Sequence, residues 1–183
     1  MSSFFIIKTG LESEGRTVKV AVDAMGGDNA PEEIVNGVEL ARDKYPDMSF
    51  QLFGPEKQIK ALVQNDDRIT VVPANSVIAM EDEPVRAVRT KKDSSIVLAA
   101  TAVKEHTADA FFSAGNTGAV LAAGLFIIGR VKGIDRPGLT TTLPVVTGDA
   151  TGSFTMLDVG ANADYKVANL EQFAVLGNFY GQT

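Results

Sequence analysis

Ala110-Phe-Phe-Ser-Ala-Gly-Asn-Thr-Gly-Ala-Val-Leu121 is the stretch on which the fold turns. Ala110, Phe111 and Phe112 read as the end of a buried strand. Ser113, Ala114, Gly115, Asn116, Thr117 and Gly118 are small or polar, and Ala119 to Ile128 is apolar and helix-compatible. A strand, a small-residue turn and a helix start make an anion site for a simple reason. The first helical N–H groups have no partner inside the helix, and the helix dipole places partial positive charge there. Glycine lets a ligand's oxygens approach the backbone. Ser113 or Asn116 caps the helix, or turns the same side chain on a ligand. Many proteins carry such a turn capped and without a ligand, so it counts only in company with other loops.

Working outward, Val18 to Val22 reads as a short apolar strand, followed by Asp23-Ala-Met-Gly-Gly-Asp-Asn-Ala-Pro31. Gly26 and Gly27 give a tight loop, and Pro31 suits a first helical turn. Asp23 and Asp28 flank the glycines. Carboxylates at a strand's end serve metal binding, general base work or capping of local N–H groups. The loop lacks both the G-x-G-x-x-G of a dinucleotide site and the Gly-Lys-Ser/Thr of a P-loop. Ile34, Val38, Ala41 and Tyr45 then recur at helical spacing. Strands at Ser49–Phe53 and Ile69–Val72 bracket a helix from about Glu56 to Gln64. Asp82-Glu83-Pro84 is a helix start, and Arg86, Arg89 and Lys92 follow on one face with Lys91 beside them. A new helix begins at Ser94, with Ser94 and Ser95 as candidate caps. Strand Ala108–Phe112 leads into the opening stretch, whose helix runs to about Val131.

Beyond it, Lys132 and Arg136 sit in a turn. Leu139 to Val146 reads as a strand, with Pro144 marking an edge or a bend. Gly148 to Gly152 reads as a hairpin turn and Phe154 to Val159 as a strand. That strand opens into Asp158-Val-Gly-Ala-Asn162, and a last helix runs from about Tyr165 to Tyr180. Strands alternating with helices argue for an α/β fold: a three-layer α/β/α arrangement around a mostly parallel sheet. Ligands in such sheets bind off the carboxyl ends of the strands. The loops at Asp23–Pro31, Ser113–Gly118 and Asp158–Asn162 are therefore expected on one rim. Met1–Arg16 reads as a loose extension with no signal-peptide pattern, and 17–183 as part of one domain without a linker.

Composition narrows the function. The chain has 183 residues, 45% hydrophobic and 22% charged, as an ordinary globular protein does. Its formal charge of −6, from 17 basic and 23 acidic residues, argues against general nucleic-acid binding. There is no cysteine, which excludes disulfides, thiolate nucleophiles and zinc–thiolate sites. The lone histidine, His106, near a predicted helix end, reads as a solvated or C-terminal residue. The longest apolar run, Ala119 to Gly129, is too short to span a membrane.

Six motifs taken together resemble the PlsX family, the bacterial acyl-[acyl-carrier-protein]:phosphate acyltransferases. They are Asp23-Ala-Met-Gly-Gly-Asp-Asn-Ala-Pro31, Asp82-Glu-Pro-Val-Arg-Ala-Val-Arg89, Lys91-Lys-Asp-Ser-Ser95, Ser113-Ala-Gly-Asn-Thr-Gly-Ala119, Gly129-Arg-Val-Lys-Gly-Ile-Asp-Arg-Pro137 and Leu157-Asp-Val-Gly-Ala-Asn162. The resemblance runs from about Val18 to Tyr180. It implies an isocitrate dehydrogenase-like fold, here truncated, because family members are much longer and this chain matches their N-terminal half. It implies transfer of a fatty acyl chain from acyl carrier protein to inorganic phosphate, giving acyl phosphate for phospholipid synthesis. It further implies a cytoplasmic homodimer with a loose, peripheral place at the membrane through the missing half. No cofactor and no metal are expected. Two family positions differ here: Lys-Pro reads Lys166-Val167, and Arg-Pro-Ala reads Arg136-Pro137-Gly138.

That chemistry needs phosphate held in line with a thioester carbonyl and donors for the oxyanion. The catalytic candidates are Asn116, Lys132 and Asp158. The substrate-binding candidates are Asp23, Gly26, Gly27, Asp28, Ser113, Gly115, Thr117, Gly118, Arg136 and Asn162. Arg86, Arg89, Lys91 and Lys92 are the candidate docking surface for the acidic carrier protein. The rival expectations are a small-acyl phosphate transacylase or decarboxylating dehydrogenase of the same fold, and an inactive module that only binds a partner or dimerises.

Overall fold

A computed structural model describes residues 4–7, 17–147, 150–159, 164 and 166–182, with the side chains of 4–7, 146, 147, 150 and 151 excepted. The chain divides into two compact units, 1–129 and 130–183. The sequence carries no linker to announce this division.

The first unit is built on a five-stranded sheet in the order β1-β5-β2-β3-β4. Strands β2 (Val18–Asp23), β3 (Met48–Gly54), β4 (Ile69–Pro73) and β5 (Ala110–Ser113) are parallel. Central parallel strands are covered on both faces, which is why Val20, Ala21, Val22 and Asp23 are buried in succession instead of alternating. Phe4–Ile7, read above as part of a loose extension, forms β1 and pairs antiparallel with β5 at the sheet's edge.

Two apolar clusters flank this sheet, and they make the three layers. On one face Val20, Val22, Phe50 and Leu52 pack with Val35 and Val38 of α1 (Glu32–Lys44) and Ile59 of α2 (Glu56–Leu62). On the other, Ala21, Phe53 and Phe111 meet α3 (Pro84–Thr90), α4 (Ser95–Lys104) and α5 (Thr117–Ala123). Small side chains let these three helices approach closely: Ala87, Ala99, Ala100, Ala119, Ala122 and Ala123 are all buried. Arg68 closes the far end of the sheet by donating to the carbonyls of Arg42, Tyr45 and Met48 at 2.9, 3.1 and 2.9 Å. After Ala123 the helix widens into a π-helical turn, Gly124–Ile128, and ends at Gly129, short of the Val131 expected from apolarity alone.

In the second unit β6 (Thr140–Thr147) and β7 (Ala150–Leu157) form an antiparallel hairpin, and α6 (Val167–Tyr180) follows. Strand β7 takes in Thr151 and Gly152, which composition assigns to a turn; the pairing of Gly152 with Val145 outweighs glycine's poor strand preference. Pro144 is accommodated because both strands of a two-stranded sheet are edges. Phe173 and Asn169 are buried, whereas Val167, Leu170, Val175 and Phe179 stand exposed on the same helix.

Candidate functional site

The site grows from one strand pair. β2 and β5 run side by side, with Val22 opposite Phe112. Each ends in a polar residue, Asp23 and Ser113, so the two glycine loops leave the carboxyl edge of the sheet together. Ser113 Oγ donates to Asp23 Oδ2 at 2.7 Å, and the Gly115 N–H donates to Ser113 Oγ at 3.1 Å. The Met25 N–H donates to the other oxygen, Asp23 Oδ1, at 3.1 Å. Both side chains are buried. Burial pushes the Asp23 carboxyl above its ordinary range, against the opposing pull of the Ser95 and Ser113 hydroxyls and the Met25 N–H. Ser95 lies close enough to Asp23 to exert that pull without a hydrogen bond of ordinary length.

Only glycine fits where the loops touch. A Cβ on Gly26 would come within 2.7 Å of both Asp23 Oδ2 and Ser113 Oγ, and within 2.8 Å of the Gly115 nitrogen. Gly27 beside it is half-buried with φ 111°, and Asp28 is exposed. The side chains of Ser113 and Asp23 are thus spent on each other and on loop amides, the structural role weighed above for such carboxylates.

Asn116 is also committed. Its Oδ1 caps α5 by accepting from the Ala119 N–H at 3.0 Å. Its Nδ2 donates to the carbonyls of Ala79, Met80 and Asp82 at 3.0, 3.2 and 3.2 Å. Asn116 is buried, and both ends of its amide serve the backbone. Pro84, the first residue of α3, leans on Gly118: a Cβ there would meet the proline ring at 2.5 Å. What the bend leaves for a ligand is the half-buried Thr117 and the N–H groups of Thr117 and Gly118, for which no acceptor stands among the described residues. An open groove of about 660 Å³ lies elsewhere in this unit, lined by Asn29, Pro31, Glu33, Gln58 and Leu62 among others. None of Asp23, Ser113 or Thr117 lines it.

The four cations of the expected docking surface separate into two kinds. Lys91 is half-buried and bonded to Asp82 Oδ2 at 2.5 Å and the Val77 carbonyl at 2.9 Å; this pairing draws the Asp82 carboxyl below its ordinary range. Arg86, Arg89 and Lys92 are exposed. The Arg89 guanidinium sits 5.1 Å from the centre of the Phe126 ring. Sequence reasoning missed Ser95 as a neighbour of Asp23. The signal was two serines at one helix start, where one cap suffices. Neither makes a side-chain cap bond, and both hydroxyls are buried.

A family model described as fatty acid synthesis protein matches residues 18–183. The chain belongs to this family, PlsX. Relatives named phosphate acyltransferase share 68% identity in Levilactobacillus brevis over 91% of this chain, 61% in Limosilactobacillus reuteri over 90% and 58% in Enterococcus faecalis over 90%. The matches cover 48%, 48% and 49% of those relatives, so the chain spans about half the length of the curated relatives it matches.

The remaining PlsX-motif candidates lie in the second unit. Lys132 is exposed; Arg136 is exposed and donates to the Asp164 carbonyl at 3.0 Å. Asp158 is half-buried with φ 59°, and Asn162 lies outside the described residues. Their turn is held to α6 by Gln172, which accepts from the Asp135 N–H and donates to the Gly133 carbonyl. No helix among the described residues is long and apolar enough to cross a membrane.

The raised Asp23 pKa has a defined sign in stability. The folded state holds this proton more tightly than the unfolded chain, so the contribution is full below 3.8 and is lost as pH rises through the folded value. The lowered Asp82 acts the other way, losing its contribution as pH falls below 3.8. Urea unfolding at a series of pH values rising from about 4 reads this loss, and Asp23→Asn is expected to flatten the decline in stability relative to the parent chain. An unchanged slope in the variant would remove Asp23 as its source.

Proposed function

We propose that this chain carries the phosphate-holding half of an acyltransferase that moves a fatty acyl group from acyl carrier protein to inorganic phosphate. A phosphate oxygen attacks the thioester carbonyl carbon, and a tetrahedral oxyanion forms. The C–S bond then breaks, the acyl phosphate departs, and the carrier's thiolate takes up a proton. Phosphate is already an anion near neutrality, so no strong base is required. The reaction demands positioning and charge stabilisation, which fixed backbone donors supply.

The observation that carries the reading is the Asp23–Ser113 contact at the ends of two neighbouring parallel strands, in a chain 68% identical to a phosphate acyltransferase. In this reading Asp23, Ser113, Gly26 and Gly115 hold the two loops in register. Asn116 fixes the start of α5. Thr117 and the N–H groups of Thr117 and Gly118 receive phosphate oxygens. The exposed cations Arg86 and Arg89 lie on α3, the helix whose first residue packs on Gly118, and they suit an acidic carrier protein. Lys91 drops out of that surface because Asp82 neutralises it.

In an enzyme of the relatives' full length carrying this segment, acyl phosphate should form from acyl carrier protein and phosphate. Thr117→Val should raise KM for phosphate about tenfold, the loss of one or two hydrogen bonds to a charged ligand. No product from the parent enzyme would end the acyltransferase reading; an unmoved KM would end the role of Thr117. Arg86→Glu with Arg89→Glu should raise KM for the carrier protein and weaken its salt dependence, with KM for phosphate unchanged. Unaltered carrier kinetics would return these residues to the solvated surface.

A second reading, association, is favoured by the apolar side chains of the second unit: Val167, Leu170, Val175 and Phe179 are between 54 and 75% exposed. Sedimentation of this chain should give a dimer or larger, and a monomer at all concentrations would count against it.

A further inference from the structure

The structure assigns Met80 a role that rests on the acyltransferase reading: it is a specificity-determining residue that touches the acyl chain of the thioester. The segment Ala79-Met-Glu-Asp82 is a closed turn, with the Asp82 N–H donating to the Ala79 carbonyl at 3.3 Å and the Ala79 N–H to Asp82 Oδ2 at 2.8 Å. Met80 and Glu81 are its two corners, and both are exposed. Three further anchors hold this turn, two of them to the bend that starts α5. Asn116 Nδ2 donates to three of its carbonyls, including that of Met80 at 3.2 Å. Lys91 grips Asp82. Just past the turn, Pro84 rests on Gly118.

A single exposed apolar side chain is ordinary on a protein surface. Met80 differs in what holds it. Its main chain is bonded to the residue that caps α5, one position before Thr117, so its place at the edge of the bend is fixed. Turn corners usually carry Gly, Asn, Asp or Ser, and an unbranched thioether at 61% exposure forgoes that preference. Methionine adapts to apolar partners of varied shape. In the proposed reaction the group bonded to the attacked carbonyl carbon is a hydrocarbon chain, which leaves the phosphate position and must run over neighbouring surface. A braced backbone bonded to the residue before Thr117, and carrying a flexible, exposed apolar side chain, suits such a ligand at little ordering cost.

The test compares kcat/KM for a long-chain and a short-chain acyl thioester in a full-length enzyme carrying this segment. Met80→Ser should lower the long-to-short ratio about tenfold, within the range expected for lost apolar contact. Met80→Leu should keep the ratio, and Glu81→Ala, at the other corner, should leave it unchanged. A merely structural role for Met80 would lower both rates together and leave the ratio alone. Circular dichroism and thermal unfolding confirm that each variant is folded. An unchanged ratio in folded Met80→Ser, with the parent enzyme active, overturns the Met80 assignment only. A parent enzyme that makes no acyl phosphate from either thioester overturns the acyltransferase reading, and Met80's role falls with it.

Discussion

The buried hydrogen bond between Ser113 and Asp23 is the constraint from which the first unit's carboxyl edge is laid out. A carboxyl in apolar surroundings is expensive unless its oxygens are satisfied. Here one oxygen takes a hydroxyl from the adjacent strand and the other an amide from its own loop. That arrangement requires the two loops to approach until only hydrogen atoms fit between Gly26 and Gly115. The approach in turn sets where the bend reaches α5. Gly26 and Gly115 thus follow from one polar contact, whereas Gly27 answers to its positive φ and Gly118 to the proline ring against it.

Around that contact lies a second layer of backbone bracing. Asn116 binds one helix start with its oxygen and one neighbouring turn with its nitrogen, so one side chain ties α5 to the Ala79–Asp82 turn. Lys91 and Asp82 close the same turn from the other side. These side chains look like ligand contacts in a list of residues, being polar, adjacent to glycine and at strand or helix ends. In three dimensions most of them are bonded to the backbone around the bend, and under the proposed function a ligand is left to backbone donors and Thr117.

The fold was largely legible because parallel strands and amphipathic helices announce themselves by period. Val18–Val22 and Ile69–Val72 are short, mostly apolar stretches broken only by Lys19 and Thr70, and Ile34, Val38 and Ala41 repeat every three or four residues. What escaped depends on contacts distant in sequence. Phe4–Ile7 is too short to read as a strand without its partner β5. The division at Gly129 carries no linker composition. Which way Asn116 or Lys91 turns is decided by carbonyls and a carboxylate supplied by another loop, and periodicity carries no information about that. The nearness of Ser95 to Asp23 spans more than seventy positions of chain, a separation across which spacing rules are silent.

The π-helical turn at Gly124–Ile128 winds wider than the helix that leads into it. Its closing bond runs from the Gly129 N–H back to the Gly124 carbonyl, five residues away, where an α-helix would span four. One residue more than the helix needs is accommodated there without breaking the rod. Such a bulge shifts the residues beyond it in phase relative to regular α-helical winding. Phe126, the middle residue of this pentapeptide, is the one that meets Arg89, so the aromatic–cation pair sits on the wide turn itself.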